Sequence, residues 1–245
     1  MLKTPGAEEL QMISVPIVKQ GLRTTTVALF LTSFFAASPR AESNVSENLL
    51  AALPPQSQAS ETLVFDVLMD GRNIGQHTVT VWKQADSTKV DISIDLKVGL
   101  GPIVFYRYEQ RNRSLWENGI LDSFLSNTND DGDIYTVAGN RRDDGMSVAV
   151  NGGAAALVPD WFPTTYWDKR TVYQDRLLAT RDGEVLDVET RSVGFETTEV
   201  RGRTVRAEKF EMRGDLDIDL WYDESDRWVK LAFRYRGSTF DYVLR

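Results

Sequence analysis

From Val90 to Val98 the chain alternates without a break. Val90, Ile92, Ile94, Leu96 and Val98 are apolar, and Asp91, Ser93, Asp95 and Lys97 between them are polar. A period of two sends the apolar side chains to one face of a strand and the polar ones to the other. A strand of that kind buries one face and wets the other, the habit of antiparallel sheets. The rhythm holds from residue 61 onward and is punctuated by Asp70-Gly71, Asn118-Gly119, Asp131-Gly132, Asp144-Gly145, Asp182-Gly183 and Arg201-Gly202. Gly takes positive φ freely, and Asn or Asp more readily than most residues, so these pairs close tight hairpins. Strands are expected at 62–69, 75–84, 88–98, 103–117, 120–128, 133–141, 145–150, 184–193, 196–200, 203–213, 215–222, 228–236 and 239–244. A meander of about a dozen strands does not stay flat with open edges; it curls into a barrel, a half-barrel or a sandwich. The fold class is all-β and antiparallel, with one short helix from Asp168 to about Leu178, capped by Asp168, and one aromatic loop. No internal repeat of fixed period is visible, which argues against a propeller.

The last hairpin can be read to its register. Leu216, Ile218 and Leu220 alternate with Asp215, Asp217 and Asp219, and Val229, Leu231 and Phe233 alternate with Lys230, Ala232 and Arg234. Pairing Leu220 with Val229, Ile218 with Leu231 and Leu216 with Phe233 satisfies both alternations. It also sets Asp219 against Lys230 and Asp215 against Arg234, and brings Trp221 to Trp228. A one-residue slip would oppose charges to apolar groups.

The 60 residues before this body are different. Thr24 to Pro39 carries no charge, has Val27–Leu31 and Phe34-Phe35 at its centre, and follows Lys19 and Arg23. This reads as a secretory signal over 1–41, too short for a stable span, with Met12 a better start than Met1 and cleavage after Ala41. Residues 42–60 read as a flexible linker and 61–245 as a single antiparallel β domain. The expected location is therefore outside the cytoplasm, periplasmic or secreted, with no stable membrane span after cleavage.

Composition narrows the chemistry. The chain carries a formal charge of -8 with one His and no Cys. Lys3, Lys19, Arg23 and Arg40 balance Glu8, Glu9, Glu42 and Glu47, so the whole excess lies beyond residue 60. A surface of that sign repels phosphate backbones, and nucleic acid is not an expected partner. Without Cys there is no thiolate nucleophile and no Cys-based metal or iron–sulfur site. No cofactor or metal is expected, and neither is a catalytic residue. His77, the lone imidazole, has no Gly-x-Ser-x-Gly elbow to partner it. The row Asp215, Asp217 and Asp219 has the carboxylates of a Ca²⁺ site without its Gly turn, and cations are expected opposite it.

Two segments stand out as candidate ligand-binding elements. In strand 103–117 one face carries Tyr106, Tyr108, Gln110, Asn112, Ser114 and Trp116, and the other Phe105, Arg107, Glu109, Arg111, Arg113 and Leu115. The first face suits a cavity wall, and Arg107 or Arg111 would serve an anionic group if their face turned inward. The same strand also suits an edge protected by charge. In Val158–Trp167, Trp161, Phe162, Tyr166 and Trp167 are crowded beside Pro159 and Pro163, which deny a regular central strand. That segment is read as a lid over a mouth of the β shell or as a plug within it.

Asp70–His77, Tyr106-Arg-Tyr108, Pro163–Trp167, Gly214–Asp223 and Arg236-Gly-Ser238 together resemble the bacterial domain-of-unknown-function family numbered 6134, from about residue 61 to 245. The resemblance implies exported β proteins without an assigned activity. More loosely, such families are similar to half-barrel lipoprotein carriers that hold a hydrophobic ligand under a lid, an analogy of fold. The expected function is a non-enzymatic binding or carrier module for an apolar or amphipathic small molecule. The alternatives are a hydrolase or lyase using carboxylates such as Asp217 or Glu109, and a structural partner of an envelope complex through the aromatic loop, its protein partner unspecified.

Overall fold

The computed structural model describes residues 59–100 and 103–245, so the leader and nearly all of the linker lie outside the described residues. Fifteen strands follow in chain order: β1 (Glu61–Met69), β2 (Arg72–Lys83), β3 (Ser87–Leu100), β4 (Ile103–Glu117), β5 (Ile120–Asp130), β6 (Asp133–Arg142), β7 (Gly145–Val150), β8 (Ala156–Val158), β9 (Phe162–Pro163), β10 (Arg176–Leu178), β11 (Val185–Val200), β12 (Arg203–Gly214), β13 (Ile218–Asp223), β14 (Trp228–Tyr235) and β15 (Ser238–Leu244). They form one sheet in the order β8-β7-β6-β5-β4-β3-β2-β1-β15-β14-β13-β12-β11-β10-β9. Only β9–β10 is parallel. The sheet is a barrel-like shell that hydrogen bonds do not close.

The meander forms because each turn supplies the twist a hairpin needs. Asp70-Gly71, Asn118-Gly119, Asp131-Gly132, Arg201-Gly202 and Arg236-Gly237 all have positive φ at both positions, the type I′ geometry that matches strand twist. The sheet begins and ends within three residues of itself, since its edge strands β8 and β9 are joined by Pro159, Asp160 and Trp161. Pro159 and Pro163 lack the N–H groups a ladder across this seam would use. The Arg141 guanidinium ties the seam down, reaching the Asp160 carboxylate at 2.9 Å and the Leu121 carbonyl at 2.9 Å.

Four expectations require correction. The helix from Asp168 is only a 3-10 turn over Lys169–Tyr173. Asp168 does cap it, accepting from the Arg170 N–H, but Gln174 is already extended. Leu177 and Leu178 are instead pulled into the sheet opposite Leu186 and Val185, so strand pairing overrides the local helical spacing.

The expected strands at 184–193 and 196–200 are one strand, β11, carried through a bulge between Ser192 and Gly194. The strand expected at 215–222 starts only at Ile218. Asp215 before it is held by exchange with Asp187: its N–H donates to the Asp187 carbonyl, and its carboxylate accepts from the Asp187 N–H.

The last hairpin keeps its expected faces but slips by two residues. Ile218 pairs with Phe233, Leu220 with Leu231 and Trp221 with Lys230. A slip of two preserves which side chains are buried, so alternation cannot detect it. The Val229 bulge then pairs Tyr222 with Trp228. Trp228 enters the core, packing on Phe65 with ring centroids 4.1 Å apart. Trp221 stays on the other face, between the ammonium groups of Lys209 and Lys230. Asp219 is neutralised by Lys209 at 2.8 Å and Arg213 at 2.6 Å, not by Lys230.

Candidate functional site: the shell interior and its mouth

The inner wall changes character from one strand to the next. Ladder partners on that wall run Leu63, Val79, Ile92, Asn112, Ser126, Val137 in one row and Phe65, His77, Ile94, Gln110, Thr128 in the next. From β1 to β3 the row members are apolar apart from His77; at β4 and β5 they are amides and hydroxyls, all buried. Burying polar groups is tolerable only where they are bonded. The Tyr106 hydroxyl donates to Asp130 at 2.6 Å, and Gln110 donates to Ser126 at 3.1 Å and Thr180 at 3.4 Å. Arg181 contacts Asp130 at 3.5 Å and pairs closely with Asp182. Burial works against the Arg181 charge, but Asp182 beside it outweighs that and holds its pKa above the ordinary value. Burial, then the Asp130 carboxylate, pushes the Tyr106 phenol up.

Thr180 and Arg181 belong to a strap, residues 159–182, that runs from the seam across the inner wall. Successive tight turns shape its first part: the N–H groups of Trp161, Thr165 and Trp167 each bond the carbonyl two residues back. These turns distribute the crowded aromatics. Tyr166 is buried and has φ 55°, with its carbonyl accepting from the Tyr222 hydroxyl at 2.8 Å. Trp161, Phe162 and Trp167 are half-buried against the core. Trp116 on β4 receives two of them, with ring centroids 5.1 Å from Phe162 and 5.6 Å from Trp167. Arg170 stacks over Trp116 and Phe162 and donates to the Gly119 carbonyl. The strap is thus seated in the shell by its own aromatic side chains.

The structure therefore brings together Trp116, Phe162 and Trp167 and sets Tyr166 against Trp228, with Tyr106 and Tyr108 on the same inner wall and Trp161 at the seam. Arg107 and Arg111 are on the opposite, outer face. Arg107 lies 3.8 Å from Glu109, and Arg111 pairs with Asp95 at 2.8 Å and donates to the Ile94 carbonyl. Arg111 also lines an outer groove of about 490 Å³ with Thr78, Ser93, Arg113 and Asn127. No anionic group inside the shell can reach either arginine.

Sequence reasoning missed the mouth. A cleft of about 480 Å³ opens where the strap's 3-10 turn passes the ends of β1, β2 and the β13–β14 turn. Leu63, Val81 and Trp167 give it an apolar floor, and Lys83, Lys169, Arg170, Tyr173 and Arg227 stand around it. Lys169 is bound to Glu208 at 3.1 Å and Asp226 at 2.7 Å, and Arg227 lies 3.4 Å from Glu61. The one local signal was Lys169-Arg170 directly after Trp167-Asp168. The other residues alternate like any strand end and meet only through the fold.

A family model matches residues 65–245. The chain belongs to the family Domain of unknown function (DUF6134). Among solved structures, this DUF6134 domain is similar to a β-barrel-like protein of domain of unknown function DUF1849 from Brucella abortus. The two share 10% identity at a TM-score of 0.55, over 75% of this chain and 95% of that one. That likeness is one of fold. Comparison with curated proteins finds no match.

Proposed function

We propose that this DUF6134 domain is an exported, non-enzymatic binding or carrier module that takes an apolar or amphipathic ligand at the mouth cleft. The observation that carries the reading is the cleft's division into an apolar floor, Leu63, Val81 and Trp167, and a charged margin bearing Lys83 and Arg170, the latter paired with Asp168 at 2.6 Å. An aliphatic chain would lie on the floor, and its polar end would meet the margin. The volume falls in the range of small-molecule sites, about 300–1,000 Å³. The outer groove is as large, but Ile92 and Leu125 in it are interspersed with Thr78, Thr80, Ser93, Asn127 and two arginines paired to Asp95 and Asp91. The uncharged leader after Lys19 and Arg23 supports export. A non-catalytic role fits His77, which burial pushes down to about 3 and which has no hydrogen-bond partner among the described residues.

The test is titration of the exported chain with a fluorescent fatty-acid probe. Wild type is expected to bind, and Trp167→Ala to weaken binding at least ~10-fold, the scale of one lost aromatic contact of about 1.4 kcal/mol. A wild-type protein that never takes up the probe ends the reading. Export has its own check: intact mass of the secreted protein should place the N-terminus between residues 37 and 43.

A further inference from the structure

We propose that His77, Tyr166 and Tyr242 form an internal site that holds a small uncharged oxygen group, an O–H or a carbonyl, within the shell. All three side chains are at least nine-tenths buried. The two His77 nitrogens and the Tyr166 and Tyr242 hydroxyls have no hydrogen-bond partner among the described residues. They cluster about the Trp228 ring. His77 lies edge-on to Tyr242 at 5.8 Å and to Trp228 at 5.2 Å, and the Tyr166 ring lies 5.9 Å from that of Trp228. Burial raises the cost of ionising both phenols, Tyr108 adds to it at each, and Tyr166 adds to it at Tyr242.

Packing alone would be served by phenylalanines and a leucine here. A polar atom placed in the core without a bond destabilises the fold, which is why nearly all such atoms in folded proteins are satisfied. Four on three neighbouring side chains from β2, β15 and the strap indicate a shared partner. Its charge follows from the groups themselves. Burial pushes His77 down to about 3 and holds both phenols above their ordinary value, so all are neutral and an ion among them would have no countercharge. Neutral imidazole offers one donor and one acceptor, and each phenol donates once and accepts, so one oxygen can satisfy several of them. His77 lies four residues along β2 from Val81 in the mouth cleft, roughly 13 Å at about 3.3 Å per residue. The oxygen therefore comes either from solvent water or from the hydroxyl or carbonyl of an apolar molecule. The site does not depend on amphiphile binding at the mouth, because water alone would fill it.

The experiment compares the full exported chain with Tyr166→Phe and Tyr242→Phe, which remove one hydroxyl each and keep the rings. Magnetic relaxation dispersion counts long-lived internal waters, and a parallel titration compares hexadecanol with hexadecane. One of two results is expected: the long-lived water signal falls in both variants, or wild type prefers the alcohol at least ~10-fold and both variants lose the preference. Both variants should also melt below wild type, by about 2–4 °C. Water and alcohol readouts unchanged in both variants overturn the proposal, whatever the melting temperatures do. Failure of the fatty-acid probe at the mouth, with the water signal still sensitive to Tyr242→Phe, would end the carrier reading and leave this site standing.

Discussion

The inner faces of β1–β3 and of β4–β5 line the same shell and are equally buried, yet they are built from opposite materials. Leu63, Phe65, Val67, Val79, Val90, Ile92 and Ile94 make one wall. Tyr106, Tyr108, Gln110, Asn112, Ser114, Ser126, Thr128 and Asp130 make the other. The apolar wall stabilises by area removed from water, which needs no particular partner. The polar wall is stable only where each group finds a bond, and it finds several from the strap, through Thr180 and Arg181. The contrast teaches that the strap completes the shell and is not a loose cover. Its aromatic first half seats on Trp116, and its second half bonds Gln110 on β4 and Asp130 on β5.

The largest effect that would sharpen this contrast is on the apolar wall. Phe65→Ala should lower unfolding stability by about 3–5 kcal/mol in a denaturant titration, with no change in probe binding beyond that loss of fold. On the polar wall, Asp130→Ala should cost about 1–3 kcal/mol by leaving the Tyr106 hydroxyl without its acceptor. Adding Tyr106→Phe should then cost less than it does alone, since the two act as one unit. Strict additivity would mean that the 2.6 Å bond is not a stabilising one.

His77 sits on the apolar wall as its polar exception and gives the contrast a pH signature. Its folded pKa is depressed to about 3 from 6.5, so below pH 6.5 the unfolded chain binds the proton and the folded chain does not. Stability from this group is therefore present above pH 6.5 and is lost as pH falls toward 3, by up to about 1.4 kcal/mol per pH unit. His77→Leu should flatten the fall of stability with acid across that window, leaving the part due to carboxylates such as Asp66 and Glu208, whose own pKa values are lowered by their partners. An unchanged profile would mean that the imidazole is open to bulk solvent. The smallest effect is expected on the outer face, where Arg111→Ala should change stability by less than about 0.5 kcal/mol despite its pairing with Asp95.

Much of the shell was legible in the sequence because alternation and turn chemistry are local. Val90–Val98 marked its buried face, and Asp70-Gly71, Asn118-Gly119, Asp131-Gly132 and Arg201-Gly202 marked the type I′ turns. What was not legible depended on partners far along the chain. Leu177 has helical spacing from Tyr173, yet it and Leu178 pair with Leu186 and Val185. The last hairpin's register hinged on one extra residue, Val229, which leaves both alternations intact. Which face of β4 turned inward could not be read from β4, since both faces mix apolar and polar groups. It was decided by Ile92, Ile94 and Leu96 beside it. The mouth cleft joins residues from 61 to 227, and no window of sequence contains it.

The most direct test of the account is to find where an amphiphile touches the shell, by following backbone amide shifts of the ¹⁵N-labelled domain during titration with palmitate. The account predicts shifts confined to Leu63, Val81, Lys83, the stretch 167–173 and the stretch 225–227, with the outer groove silent. Shifts centred on Thr78, Ser93, Arg111 and Asn127 would contradict it, because they would place the ligand on the opposite face of the same strands.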